Sequence, residues 1–180
     1  MVYADSFHYY LQELQKEFSF TEASRLADII WEDVTGLSRL QRIVQKNLSL
    51  TSEQKIQLDK YLQELLQHKP VQYITGKAWF YNMPFSVNEN VLIPRPETEE
   101  LVEWIIQDYK QSAFPASPQL LDIGTGSGCI AVALKRYMQN VLVQAIDYSS
   151  KALEVARKNA LQNNTDIRFQ QLDILDKRSW

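Results

Sequence analysis

The sequence predicts an α/β fold with a parallel sheet, preceded by a small all-α helical bundle. Three observations lead there. Residues 1 to 70 carry only helical periodicity. From Val71, β-branched and aromatic runs are broken by turn-formers, which reads as short strands and a hairpin. After Gln119 the pattern alternates as strand, helix, strand, helix, strand, the order that winds a parallel sheet in one sense.

The elements follow in order. A first helix is expected near Ser6–Phe18. Ser19-x-x-Glu22 is a capping box ahead of Ala23, Leu26, Ala27, Ile30 and Val34. A short helix lies near Ser38–Asn47. Thr51-x-x-Gln54 opens a fourth, with Leu58, Tyr61, Leu62, Leu65 and Leu66 on one side, and Pro70 stops it. The hairpin linker spans 71–95, with Trp79, Phe80, Tyr81 and Phe85 expected to pack against a neighbouring domain. At Pro94-Arg95-Pro96 the chain turns into a helix that starts with Glu97-Thr98-Glu99-Glu100 and sends Leu101, Val102, Ile105 and Ile106 to a core. Ser112–Gln119 is a loop of turn-formers. Strands are then expected at Leu120–Ile123, Val141–Ile146 and Ile167–Gln171, with helices from Gly128 to Tyr137 and from Ser149 to Asn163. Three strands make half of such a sheet, so the sheet is expected to be incomplete.

Composition excludes several functions. The net charge of −3 supplies no global field for nucleic acid or anionic lipid. Arg39, Arg42 and Lys46 recur on one helical face, which is expected to be a solvated face. One cysteine, Cys129, leaves no internal disulfide and fits a reducing compartment. The first residues, with Asp5 and no basic-then-apolar order, do not read as a signal peptide. No apolar run approaches the ~20 residues that span a bilayer. A cytoplasmic protein is expected. His8 and His68 have no cysteine or paired acid at ligand spacing, so no metal site is expected.

The stretch LLDIGTGSGCIAVAL, Leu120 to Leu134, carries the chemistry. Gly124, Gly126 and Gly128 let the backbone turn tightly and approach a ligand at the positive end of a helix. A dinucleotide fingerprint needs G-x-G-x-x-G, and Cys129 stands where its third glycine belongs. Asp122, two residues before the first glycine, would repel a pyrophosphate and suits a ligand with an ammonium or sulfonium charge. That selects S-adenosylmethionine over a nicotinamide cofactor. Asp147 ends the next strand, where its carboxylate can accept from both ribose hydroxyls. Tyr148 is placed against the adenine. Asp173, past the third strand, is placed to accept from the exocyclic amine, and Ile174 to close the apolar slot. With Thr125 and Ser127 inside the turn, these residues form the expected donor site.

PVQYITG, then FYNMPFSV, then VLIPRPETEELVE, then LLDIGTGSGCIAVALK together resemble the HemK (PrmC) family from Pro70 onward. That family methylates the side-chain amide nitrogen of a glutamine in peptide chain release factors. The resemblance implies a Rossmann-like class I S-adenosylmethionine-dependent methyltransferase domain over 96–180, following a docking bundle for class I release factors over 1–70. It places the Pro94–Pro96 corner beside the donor pocket, with Arg95, Pro96 and Thr98 at the pocket border. Arg95 either pairs with an acid across the domain junction or lines the pocket. The prolines fix φ and Pro96 can start a helix without losing a donor, while the acids suit its first turn. The family's reacting motif, Asn-Pro-Pro-Tyr, does not occur in this sequence. No catalytic residue is therefore expected within this chain, and it is expected to be inactive alone.

Two alternatives stay open. An adenine-N6 methyltransferase acting on nucleic acid shares the donor site but needs a basic groove, and salt-dependent binding to DNA would favour it. A non-catalytic binding module would bind its partner without any dependence on the donor. It would also leave its last strand as an open edge.

Overall fold

The computed structural model describes residues 3–45, 49–111 and 118–176. The chain divides into two compact units, Met1–Thr75 and Gly76–Trp180.

The first unit is helical: α1 Tyr3–Leu14, α2 Phe20–Thr35, α3 Arg39–Val44, α4 Ser52–Leu66 and α5 Val71–Thr75. Its starts are set by side chains that take up orphan amides. The Ser19 hydroxyl accepts from the Glu22 N–H at 3.3 Å, without the reciprocal glutamate bond. Thr51 and Gln54 make both bonds of a capping box, and so do Ser38 and Gln41. Gly36, in the left-handed region at φ 69°, ends α2 by donating to the Glu32 carbonyl. The core gathers Tyr10, Leu14, Ala27, Ile30, Trp31, Leu58, Leu62 and Leu65. Trp31 is fully buried, with Phe7 and Tyr10 edge-on at 5.5 and 6.0 Å.

Three expectations are corrected here. The first helix runs Tyr3–Leu14, earlier than expected, because residues 15–18 form turns that bond back to it. Among the described residues, Arg39 and Arg42 do not share one solvated face. Arg42 is buried, donates to Asp28 at 2.5 Å and lies over the Phe7 ring at 4.9 Å, while Arg39 stays exposed. Lys46 and Asn47 lie outside the described residues. Val71–Thr75, assigned to the hairpin linker, is a five-residue helix whose Tyr73 and Ile74 amides donate to the Pro70 carbonyl.

The second unit opens with a hairpin, β1 Lys77–Phe80 and β2 Met83–Ser86. Its two-residue turn, Tyr81 and Asn82, has φ of 49° and 59°, the left-handed pair that matches strand twist. Helix α6, Glu97–Gln111, follows the corner. Glu99 in its first turn accepts from the Tyr81 N–H at 2.9 Å, and the Tyr81 hydroxyl bonds Glu103, so α6 holds the hairpin turn as well as the corner. Residues 112–117 of the expected loop lie outside the described residues.

Strands β3 Gln119–Ile123, β4 Leu142–Asp147 and β5 Arg168–Gln171 alternate with α7 Cys129–Tyr137 and α8 Ser150–Gln162. They form a three-stranded parallel sheet in the order β3-β4-β5, with Ile123 beside Ile146 and Asp147 beside Gln171. Val143 and Ala145 of β4 share a core with Phe80, Phe85, Val102, Ile106, Ala131 and Leu134. Phe80 and Phe85 thus pack within this unit, while Trp79, expected to pack beside them, is 72% exposed. The two faces of the short strand explain it, since Lys77 and Trp79 alternate with the buried Ala78 and Phe80. On the sheet, Leu121, Ile123 and Leu142 remain about half exposed.

Candidate functional site

The carboxyl ends of parallel strands are where an α/β sheet receives ligands, because strand-to-helix turns present free amides there. In this chain the turn after β3 takes its shape from glycines. Gly124, Gly126 and Gly128 have φ of 74°, 55° and 79°. The amides of Gly124 and Thr125 both donate to the Ile146 carbonyl, at 2.9 and 3.0 Å, so the turn hangs on β4. A Cβ at Gly124 would meet no atom within 4 Å, so that glycine is needed for its conformation and leaves open space beside it. Gly128 is needed twice. A Cβ there would stand 3.1 Å from the Ala156 Cβ, because α8 crosses against the start of α7.

Two carboxylates flank the turn. Asp122 accepts from the Thr125 hydroxyl at 2.7 Å. Burial pushes its carboxyl above the usual range; hydrogen bonds from Thr125 and the Ala131 backbone pull the other way, and the Asp147 charge adds to the rise. Asp147 is held from both sides: one oxygen accepts from the Gly126 N–H and the other from the Ser149 N–H, each at 2.9 Å. Every carboxylate oxygen has two acceptor directions, so each keeps one for a ligand hydroxyl. The helix start that in other turns favours a phosphate is here lined by negative charge. The arrangement suits a neutral polyol or a cationic group.

The third strand end joins this edge through the Leu172 amide, which donates to the Asp147 carbonyl at 3.0 Å. Asp173 accepts from the Leu175 N–H at 2.9 Å and thereby shapes the turn past β5. Tyr148 is 74% exposed and Ile174 40% exposed. The Tyr148 carbonyl accepts from the Gln171 side chain at 3.0 Å. Asp122, Asp147 and Asp173 therefore stand at the ends of three adjacent strands, as the motif spacing predicts. Thr125 and Ser127 are buried; the Thr125 hydroxyl donates to Asp122, the Thr125 amide and carbonyl bond Ile146 and Gly128, and the Ser127 carbonyl accepts from Asn159, so these two residues shape the turn.

Arg95, Pro96 and Thr98 are not joined to the glycine turn by any hydrogen bond or ion pair among the described residues. Arg95 is exposed, and its carbonyl accepts from the Thr98 N–H at 3.0 Å. Cys129, the first residue of α7, has its thiol pushed up by burial, and the Asp122 charge raises it further; a hydrogen bond with Ser127 only partly offsets this. Among the described residues no group of His, Cys, Asp and Glu side chains could hold a metal ion.

Sequence reasoning missed one participant. Asn159 of α8 is fully buried, and its side-chain amide donates to the Ser127 carbonyl in the turn at 2.8 Å. The only signal available was an asparagine on the apolar side of a helix between Ala156 and Ala160.

The PrmC N-terminal domain profile matches residues 9–76, and the methyltransferase small domain profile matches residues 102–179. A release factor glutamine methyltransferase of Flavobacterium psychrophilum is 45% identical over 166 residues, 92% of this chain and 58% of that protein. The proteins of the same name from Chlorobaculum tepidum and Lactococcus lactis are 42% and 39% identical, each over 83% of this chain and 52% and 54% of their own length. The chain thus spans a little over half the length of the curated relatives it matches. Among solved structures, a Pyrococcus abyssi tRNA (uracil-54, C5)-methyltransferase aligns over 54% of this chain and 23% of its own, with TM-score 0.41 and 18% identity. With a match to the PrmC N-terminal domain followed by one to the methyltransferase small domain, the chain is similar over most of its length to the release factor glutamine methyltransferases.

Proposed function

We propose that the second unit binds S-adenosylmethionine at the glycine turn, and that the protein methylates the side-chain amide nitrogen of a glutamine in class I peptide chain release factors. The observation that carries the donor assignment is the pair of carboxylates around a glycine turn that leaves open space beside Gly124. The names of the curated relatives supply the substrate class.

Asp147, fixed by two backbone amides, would accept from the ribose hydroxyls without having to reorganise. Asp122 would set the negative potential that favours the donor's cationic end. Asp173, Tyr148 and Ile174 would border the adenine, and Gly124 to Gly128 would let the backbone come close. When bound, S-adenosylmethionine supplies an electrophilic methyl group on a sulfonium. The chain's residues bind and orient it. Arg95, Pro96 and Thr98 stand in this proposal at the border of the donor pocket. The helical bundle, which extends through Val71–Thr75, would dock the release factor, with the hairpin stretch after it as the link and 96–180 as the donor-binding part. A cytoplasmic location goes with that substrate. Among the described residues no helix is long and apolar enough to cross a membrane.

Calorimetric titration of S-adenosylmethionine into the full chain tests the donor assignment, with Asp147→Ala beside it. Micromolar binding that the substitution weakens at least about tenfold is expected, since it removes charge-assisted acceptors. Unchanged affinity in Asp147→Ala would place the donor elsewhere.

A further inference from the structure

The side chain of Asn159 has both donor hydrogens and its oxygen engaged by backbone, in two segments distant in sequence. Its Nδ2 donates to the Ser127 carbonyl at 2.8 Å and to the Ser86 carbonyl at 2.9 Å, and its Oδ1 accepts from the Ser86 N–H at 2.7 Å. An asparagine amide has two donor hydrogens and an oxygen with two acceptor directions, so both hydrogens and the oxygen are engaged, three of its four possible bonds. The residue is fully buried, in surroundings where an apolar side chain would cost less to desolvate. Near it on α8, Ala156 fills the space that a Cβ at Gly128 would need. One helix therefore both presses on the glycine turn and holds it.

Glycine-rich backbone loses the most conformational entropy on ordering, and the turn has few side chains of its own to fix it. Its shape comes from outside. The Ile146 carbonyl anchors its first half, at Gly124 and Thr125. Asn159 anchors its second half, at Ser127.

We propose that Asn159 is a positioning residue for the methyl-donor site. Through the Ser127 carbonyl it sets the turn in the geometry in which the Gly126 N–H meets Asp147. Through Ser86 it ties that turn to strand β2, so hairpin and donor turn are registered by one side chain. The functional part of the inference rests on the donor assignment; the structural part does not.

Hydrogen exchange on the full chain, read amide by amide, tests it without ligand. Asn159→Ala is compared with Ile106→Ala, a core truncation in α6. Faster exchange of Gly126 to Gly128 relative to the β4 amides, by about tenfold and in Asn159→Ala alone, is expected from losing one buried hydrogen bond. The affinity for S-adenosylmethionine falls by a similar factor in Asn159→Ala and stays near the parent value in Ile106→Ala. Turn and sheet amides speeding up in step, or an unchanged donor affinity in Asn159→Ala, would overturn the inference. If the parent chain binds no S-adenosylmethionine, the donor assignment fails, and exchange alone decides whether Asn159 sets the turn. Should the alanine variant not fold, Asn159→Ser carries the same two measurements.

Discussion

In the helical unit, buried polar side chains meet other side chains. Tyr10 donates to Asp59, Tyr61 to Asp33 and Arg42 to Asp28, each joining two helices. Around the glycine turn of the α/β unit, polar side chains meet mostly backbone. Asp147 receives the amides of Gly126 and Ser149, and Asn159 holds Ser127 and Ser86. The difference separates two kinds of order. A side-chain pair across two helices fixes how they pack, and apolar groups of the same shape can replace it at small cost. A side chain bonded to loop backbone fixes a shape that no packing would produce, which is what a preorganised site requires.

The largest effect that tests this contrast comes from the helical unit. Trp31→Ala empties a fully buried ring site and is expected to cost about 3–5 kcal/mol in urea unfolding. The affinity for S-adenosylmethionine stays within about twofold of the parent, a factor worth well under 1 kcal/mol. A loss of affinity in step with stability would break the contrast.

Gly128→Ala strikes the turn itself. It places a Cβ at φ 79° and 3.1 Å from Ala156, so a loss of about 2–4 kcal/mol is expected from strain and overpacking together. Here donor binding falls with stability. A fully stable variant with parent affinity would show that α8 can yield.

Asp122→Asn separates stability from function by sign. Burial raises the folded-state carboxyl above its unfolded value, so the folded state holds its proton more tightly. The stability Asp122 contributes is therefore fully present below the ordinary carboxylate range and is lost as pH rises through the raised value. At neutral pH the asparagine variant is expected to melt higher than the parent, and the gain disappears on acidification towards pH 4, near the ordinary Asp value. Its affinity for the cationic donor falls meanwhile. A variant less stable than the parent at neutral pH would sink this account of the Asp122 environment.

The smallest effect sharpens the other side. Burial and the Asp33 bond raise the Tyr61 phenol to about 12. Its contribution is complete below the ordinary value of 10.0 and is lost as pH climbs towards about 12. Tyr61→Phe is expected to cost about 1 kcal/mol at neutral pH and to flatten that alkaline decline in melting temperature.

What could be read in the sequence was what is local. Asp122 sits two residues from its glycine turn, and strand and helix periods alternate within short windows, so sheet, turn and flanking acids were all visible. The Tyr81-Asn82 turn was not, since it reaches positive φ without a glycine and is held by Glu99 from another element. Val71–Thr75 misled through its β-branched residues, although Pro70 can begin a helix and offers its carbonyl to the next turn. Arg42 looked solvated because periodicity cannot see Asp28. Asn159 was least legible, since its bonds span 73 and 32 residues.

Cys129 is the chain's one cysteine, and its thiol is pushed up although it opens a helix. Only the thiolate attacks alkylating and disulfide reagents, so the raised thiol pKa slows the modification of a sulfur that the fold covers only in part. A label attached at a cysteine introduced on the surface therefore reports from one place, with no need to remove the native residue. The native sulfur becomes a local gauge: a change in its rate of modification reports a change of environment at the first turn of α7, the segment that follows the donor turn.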